Sequence, residues 1–428
     1  MSNGSIYVDS ITRVEGHGSI EIDLKNKNVK LEITEGARFF EGILKGRKYD
    51  EVQSIVTRIC AICSSSHALT SVKTLENALD VETTEQTDLL RKLLLYGEII
   101  QSHALHLYFL SLPDFLGYEH AIAMAKDHLR EVKEALRIKR LGNMIREIVG
   151  GRTVHQITTV VGGFTKIPSE REQEKILKEL RENVKIAENT VEIFENVDYP
   201  DLEEKTEYIS LKSEEYPLYY SEKIHSSQGW EIDLSKYKDY ILEELRPYSN
   251  AKFGVRDGRG YMVGALARLN LNRQQLNEKA KETLENSRIN FPNHNPHVNN
   301  YAQAIEILHL MEECINILEN NKFKPEKPVE IRPKAGEGIA AHEVPRGTLY
   351  HHYRLNRKGI IEYANVITPT AQNLFNMENN LRKIAHKYLD KGCSKETRNK
   401  MVFDMEKCIR AYDPCISCSA HFLKVKYI

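Results

Sequence analysis

Four of the seven cysteines stand in two pairs of identical spacing, Cys60-Ala61-Ile62-Cys63 and Cys415-Ile416-Ser417-Cys418. Three residues of separation lets both sulfurs of a pair turn toward one ion, and four thiolates suit a soft or borderline metal such as zinc, iron or nickel. A structural zinc site would use the same donors. Zinc ribbons, however, place their pairs about 15 to 20 residues apart, whereas 352 positions separate Cys63 from Cys415. The two pairs are therefore expected to converge at the centre of a large fold, around a buried metal that takes part in chemistry. A thioredoxin-like redox motif fits poorly, because neither pair occupies the strand-to-helix turn of a βαβ unit. Cys314, Cys393 and Cys408 show no spacing pattern and read as ordinary buried or surface thiols.

A scaffold of 428 residues must position these pairs. That length buries a full core without staples, and with no repeat or low-complexity linker it is read as one catalytic unit, 1–428. Its parts are a β-rich stretch (1–60), a helical core (61–200), a mixed insert and helix (201–325), a β-hairpin part (326–370), and C-terminal helices with the second motif (371–421). A tail follows at 422–428. The 60 Lys and Arg balance 61 Asp and Glu, which argues against nucleic acid as a partner. No apolar run reaches the ~18 residues of a membrane span, and the N-terminus turns polar too soon for a signal peptide. A cytoplasmic protein is the expectation.

The local patterns divide accordingly. The runs IEIDL and VKLEI flank Lys25 to Asn28 as a hairpin. Beyond Cys63, Ala68, Leu69, Val72, Leu75, Ala78 and Leu79 recur at helical spacing. A longer helix is expected from Thr84 to Leu112, ended by Pro113, and a third from about Glu119 to Ile148, stopped by Gly150-Gly151. The charged segment from Pro168-Ser169 to Asn196 reads as a solvent-facing helix. Short aromatic and turn-rich pieces fill 201–270 without a clear assignment. A helix follows from about Pro296 to Glu319, then a second hairpin whose runs TLYHHYRL and GIIEYANVI are joined by Asn356 to Gly359, then helices at about 371–389 and 395–411. The expected class is mainly α with small β-sheets (α+β), the sheets lying at the two ends of the sequence.

The strings around the cysteines carry more. Arg58, Cys60, Cys63 and His67 form an RxCxxCxxxH string, and Asp413, Pro414, Cys415, Cys418 and His421 a DPCxxCxxH string. With Arg13-Val14-Glu15-Gly16-His17 near the start and Val344-Pro345-Arg346-Gly347 between them, the chain resembles the large, catalytic subunit of nickel-iron hydrogenases. The segments Gln101 to Leu110 and Asp413 to His421 are most similar to the cytoplasmic, multisubunit branch linked to pyridine nucleotides, sulfhydrogenases included. The resemblance implies a central helical bundle with the metal site at its base. It also implies nickel held by Cys60, Cys63, Cys415 and Cys418, with Cys63 and Cys418 bridging to an iron that carries carbon monoxide and cyanide.

Dihydrogen has no dipole to grip and must be split heterolytically, its proton passing to a nearby base. By resemblance Cys415 takes that proton first and Glu15 carries it away. Arg346 lies over the open side of the metals, where a planar guanidinium can polarise what binds; Pro345 forms an apolar wall beside it and Asp413 orients it. His67 hydrogen-bonds a bridging sulfur, and Thr370 offers a hydroxyl near a cyanide. Glu41, His421 and the carbonyl of about Val366 match positions that bind magnesium or iron near the C-terminus. Ser102 stands where many membrane-linked members have Asp. His103 and His106, three apart on a helix with no carboxylate or cysteine at matching spacing, read as structural.

No CxxCxxC run for an iron-sulfur cluster and no GxGxxG after a strand occurs, so electrons must leave through partners. The resemblance implies an obligatory iron-sulfur small subunit, flavin/NAD(P) diaphorase subunits, nickel-insertion proteins and a maturation protease that removes Phe422 to Ile428. The expected activity is reversible H2 cleavage coupled to NAD(P). A deazaflavin, ferredoxin or polysulfide is the alternative acceptor, and a metal-free homologue like the quinone-site subunit of complex I the alternative class.

Overall fold

The computed structural model describes residues 5–36, 39–390 and 394–420. Four long helices, Glu85–Leu105, Leu129–Gly150, Glu170–Asn196 and Asn299–Asn320, pack side against side as a closed ring, each touching two of the others. Thr84 caps the first by accepting from the Thr87 amide, and that helix is buried on nearly every side from Leu90 to Ala104. Glu170–Asn196 opens instead with a reciprocal Ser169–Glu172 capping box. Its Ile176, Leu180, Ala187, Val191 and Phe194 form one buried stripe, so the expected solvent-facing helix is in fact amphipathic and closes the bundle.

Two helix boundaries differ from expectation. The regular helix from Glu85 stops at Leu105, a single wide π turn spans His106–Ser111, and Leu112–Leu116 carries the chain onward. Pro113 lies in the first turn of that last helix, where the missing amide costs no hydrogen bond; Gly117, in the left-handed region, ends the path. The third expected helix is broken into Ala121–Met124 and Leu129–Gly150, and Gly151 caps the latter in the left-handed conformation.

At the N-terminus Gly18–Asp23 and Asn28–Ile33 form the expected hairpin, with Asp23 opposite Asn28, and Ser5–Val8 adds a third antiparallel strand that the alternation did not announce. Sheets are not confined to the ends of the sequence, however. The 201–270 stretch folds into a four-stranded sheet ordered Tyr261–Met262, Glu207–Lys212, Lys223–Ser226, Glu231–Asp233, and a separate pair, Leu242–Leu245 with Lys252–Val255. All but one of these strands run two to four residues, and the six-residue Glu207–Lys212 is buried at four consecutive positions, so no alternation shows. The C-terminal sheet is a three-stranded meander, Gly336–Val344, Gly347–Leu355 and Ile361–Ile367. Its first strand lies against the Ser64–Leu79 helix. Helices Pro369–Leu389 and Lys395–Ala411 then lead to a four-residue helix, Ile416–Ser419. Among the described residues no helix is long and apolar enough to cross a membrane. His421, Cys393 and Phe422 to Ile428 lie outside the described residues.

Candidate metal centre

Cys63 is the residue that opens the Ser64–Leu79 helix, and its amide donates to Cys60 Sγ at 3.3 Å. The first amides of a helix have no partner within it, and here a side chain from the bundle supplies one. Glu98 accepts from the amides of Ser65 at 2.6 Å and Ser66 at 3.0 Å, and from the Ser66 hydroxyl. Arg146 pairs with Glu98 at 3.2 Å and donates to Ser64 Oγ at 3.0 Å and Ser65 Oγ at 3.2 Å. Burial pushes the Glu98 carboxyl up, and Arg146 opposes this only in part. The three serines after Cys63 therefore bind the bundle to the first cysteine pair, a role their sequence did not disclose.

The second pair depends on separate pieces of chain. Thr370 Oγ1 accepts the Cys415 amide at 3.0 Å, and Thr368 Oγ1 donates to the Cys418 carbonyl at 3.1 Å. The Glu15 carbonyl accepts the Ile416 amide at 2.8 Å, while Glu15 Oε2 accepts the Ser417 amide at 3.1 Å and Oε1 the Ser417 hydroxyl. Gly16 makes this approach possible: its φ is +87°, and a Cβ there would stand 2.7 Å from the Ser417 amide nitrogen.

The two pairs meet. Cys60 Sγ lies 3.4 Å from Cys415 Sγ and Cys63 Sγ 3.8 Å from Cys418 Sγ; all four sulfurs are buried and lie within 4.8 Å of one another. Four buried thiols so close cannot all ionise unaided. Sulfur hydrogen bonds, from Cys415 first, hold Cys60 well below its ordinary value, while burial pushes Cys415 and Cys418 well up. A bound cation is what allows every sulfur to serve as thiolate, so the donor set fits a soft metal. Glu15 Oε2 stands 3.0 Å from Cys415 Sγ.

Arg346 faces the same cavity from the turn between the first two strands of the C-terminal meander. Val344 pairs with Gly347, leaving Pro345 and Arg346 as a two-residue turn; the hairpin expected at Asn356–Gly359 is the next one along. Gly347 has φ +131°, and a Cβ there would press on Val263 at 2.4 Å. Arg346 is 5% exposed. Its Nε donates to the Asp413 carbonyl at 2.5 Å and Nη2 to Asp413 Oδ1 at 2.9 Å, with Nη1 3.5 Å from Ser102 Oγ. Burial works against its charge, but Asp413 and the sulfurs outweigh burial and keep the guanidinium protonated. Cys63, His67, Pro345, Arg346, Thr370, Cys415 and Cys418 share a small cavity, completed by Val344, Leu349, Thr368 and Pro369.

Comparison with known proteins bears on this geometry. Residues 38–134 and 212–421 match the nickel-dependent hydrogenase family, and 5–34 a HoxL-like family. The chain belongs to the nickel-dependent hydrogenases. It is 40% identical to the sulfhydrogenase 1 subunit alpha of Pyrococcus furiosus over 98% of each chain, and 39% identical to the sulfhydrogenase 2 subunit alpha of that organism over 98% of this chain and 100% of the other. A crystal structure of an NAD+-reducing [NiFe]-hydrogenase in the H2-reduced state superposes with a TM-score of 0.86 at 27% identity, covering 98% of this chain and 100% of that one. The expected fold, a helical bundle with small sheets, is that of a hydrogenase large subunit.

Around this hydrogenase site the remaining residues sort by their bonds. His103 Nε2 lies 2.9 Å from Glu306, which also takes Arg268 at 2.6 and 2.7 Å; Arg268 reaches Glu343 at 2.9 Å and the Val344 carbonyl at 3.0 Å. His106 contacts Gln303 Oε1 at 2.5 Å and the Arg410 carbonyl at 2.6 Å, and Gln303 donates to Asp413 at 3.3 Å. Both histidines thus join the network behind Arg346 and Asp413. Asp114 binds Arg410 at 2.7 Å and also Arg13, tying the Glu15 segment to the helix that precedes Asp413. Cys314 and Cys408 are buried thiols pushed up by that burial. The Phe40–Leu44 helix that bears Glu41 packs on the strand that bears Val366, and Ala420 bridges to Ala251. His67 Nδ1 faces His351 Nε2 at 3.2 Å. Sequence reasoning did not single out Ser417, Thr368, Glu98, Arg146, Gln303 or His351; the spacing of His351 and Tyr353, two apart on a strand, was the one signal available for that pair.

Proposed function

We propose that the chain is the catalytic subunit of a multisubunit hydrogenase that cleaves H2 reversibly and passes electrons through an iron-sulfur small subunit to NAD(P). The observation that carries the reading is the Glu15 carboxylate at 3.0 Å from one of four converged sulfurs. Support for the electron route comes from the names of similar proteins: alpha subunits of sulfhydrogenases and an NAD+-reducing enzyme. Cys60, Cys63, Cys415 and Cys418 would hold nickel, with Cys63 and Cys418 shared with an iron bearing carbon monoxide and cyanide. Glu41, the Val366 carbonyl and His421 would hold magnesium or iron near the C-terminus.

When bound, the nickel-iron pair supplies the soft, electron-accepting centre on which H2 is polarised and split. The chain's own residues handle the proton. Cys415 Sγ receives it and passes it to Glu15 Oε2, a carboxylate oriented by the Ser417 amide and hydroxyl. Arg346, clamped by Asp413, presents fixed positive charge to the cavity beside the apolar Pro345. Thr370 orients Cys415 through its amide, and His67, which lines the cavity with Cys63 and Cys418, would donate to a cysteine sulfur there. Flavin-bearing diaphorase subunits would complete the route to NAD(P), and maturation proteins would insert nickel and remove Phe422 to Ile428, in the cytoplasm. Metal analysis and infrared spectroscopy of the purified complex test the reading. Stoichiometric nickel with carbon monoxide and cyanide bands is expected, lost in Cys63→Ser and Cys418→Ser; stoichiometric zinc without such bands overturns it.

A further inference from the structure

A row of buried groups leads away from the metal centre. His67, on the first turn of the Ser64–Leu79 helix, lines the cavity with Cys63 and Cys418. Its Nδ1 is 3.2 Å from His351 Nε2, with the rings tilted by 49°. His351 Nδ1 is 2.5 Å from the Tyr353 hydroxyl, which lies 3.3 Å from Ser71 Oγ. Helical spacing places Ser71 one turn beyond His67, and strand alternation places Tyr353 on the face of His351. All four side chains are at most 1% exposed.

In such a row the proton positions are mutually constrained. A neutral imidazole carries one N–H and one lone pair, and burial, with His67 and His342 nearby, drives His351 well below its ordinary value and keeps it neutral. Two facing ring nitrogens bond only if one donates and the other accepts. The phenol has a single proton, and two acceptors compete for it. The imidazole nitrogen at 2.5 Å is both the stronger base and the nearer partner; the serine oxygen at 3.3 Å is weaker on both counts. With the phenolic proton directed to His351 Nδ1, the His351 proton must sit on Nε2 and point to His67 Nδ1. His67 then carries its own proton on Nε2, on a ring that lines the cavity with Cys63 and Cys418. The reverse order, with Tyr353 donating to Ser71, would turn a lone pair toward anionic sulfur.

We infer that Tyr353 and His351 are positioning residues that fix the tautomer of His67, so that an N–H and not a lone pair is offered to the sulfurs of the metal centre. The inference rests on the nickel-iron reading above. A hydrogen bond to thiolate withdraws electron density from the metals, so its loss strengthens back-donation and lowers the carbon monoxide stretching frequency.

The test compares infrared spectra and nickel content of the purified complex for wild type, Tyr353→Phe, His351→Leu and Ser71→Ala. Tyr353→Phe is expected to keep its nickel and shift the carbon monoxide band to lower frequency, with His351→Leu shifting it the same way and Ser71→Ala leaving it in place. An unmoved band in nickel-loaded Tyr353→Phe overturns the inference, as does a Ser71→Ala shift as large as that of Tyr353→Phe, which would reveal the reverse proton order. Wild-type protein without nickel or bands overturns the proposed function instead, so the two failures are distinguishable.

Discussion

The two cysteine pairs have the same spacing and opposite support. Cys60 and Cys63 stand on a platform: the helix opened by Cys63 is bound to the bundle by a wholly buried carboxylate and guanidinium, Glu98 and Arg146. Cys415 and Cys418 lie on a short segment with a four-residue helix, held by one hydrogen bond each to Thr370 and Thr368 and by three to Glu15. A neutral hydrogen bond contributes about 1 kcal/mol net, whereas breaking a buried ion pair from one side costs ~3–5 kcal/mol. The first pair is therefore held through one buried ion pair under its helix, and the second through hydrogen bonds to Thr370, Thr368 and Glu15 together with the Arg346–Asp413 pair, whose Asp413 stands two residues before Cys415. Glu15, the proposed base, contacts the second pair and not the first.

Three substitutions separate these roles, beginning with the largest effect. Glu15→Gln preserves shape and leaves nickel content and melting temperature unchanged, but it removes the proton acceptor beside Cys415. H2/D2 exchange should fall by ~10²–10⁴-fold, and near wild-type exchange would send the proton by another route. Glu98→Ala strands Arg146 and the Ser65 and Ser66 amides, and calorimetry of the complex should show a loss of ~3–5 kcal/mol; a loss below about 1 kcal/mol would erase the contrast between the two pairs. Thr370→Val leaves the buried Cys415 amide without its acceptor, at a cost of ~1–3 kcal/mol. That change should appear more in nickel released to a chelator than in the melting temperature, and a melting shift equal to that of Glu98→Ala would make the second pair as integral as the first.

The sequence by itself determined the donor types, their pairing by three, the motif strings and the regular elements, because these are local. The hairpin around Lys25 to Asn28 and the helix after Cys63 follow from alternation and helical period over windows that need no distant partner. It misled where two local rules competed. Pro113 reads as a stop although it is tolerated in a first turn, and the strands of 201–270 offer no period to read. Only the tertiary structure decided which groups share a dry interior. Cys60 reaches Cys415 across 355 positions, His67 reaches His351 across 284, and Gln303 rather than a metal receives His106. Such choices are absent from any window of sequence: where water is excluded every polar group must take its partner from whatever other element is packed beside it, and that neighbour is set by the fold as a whole.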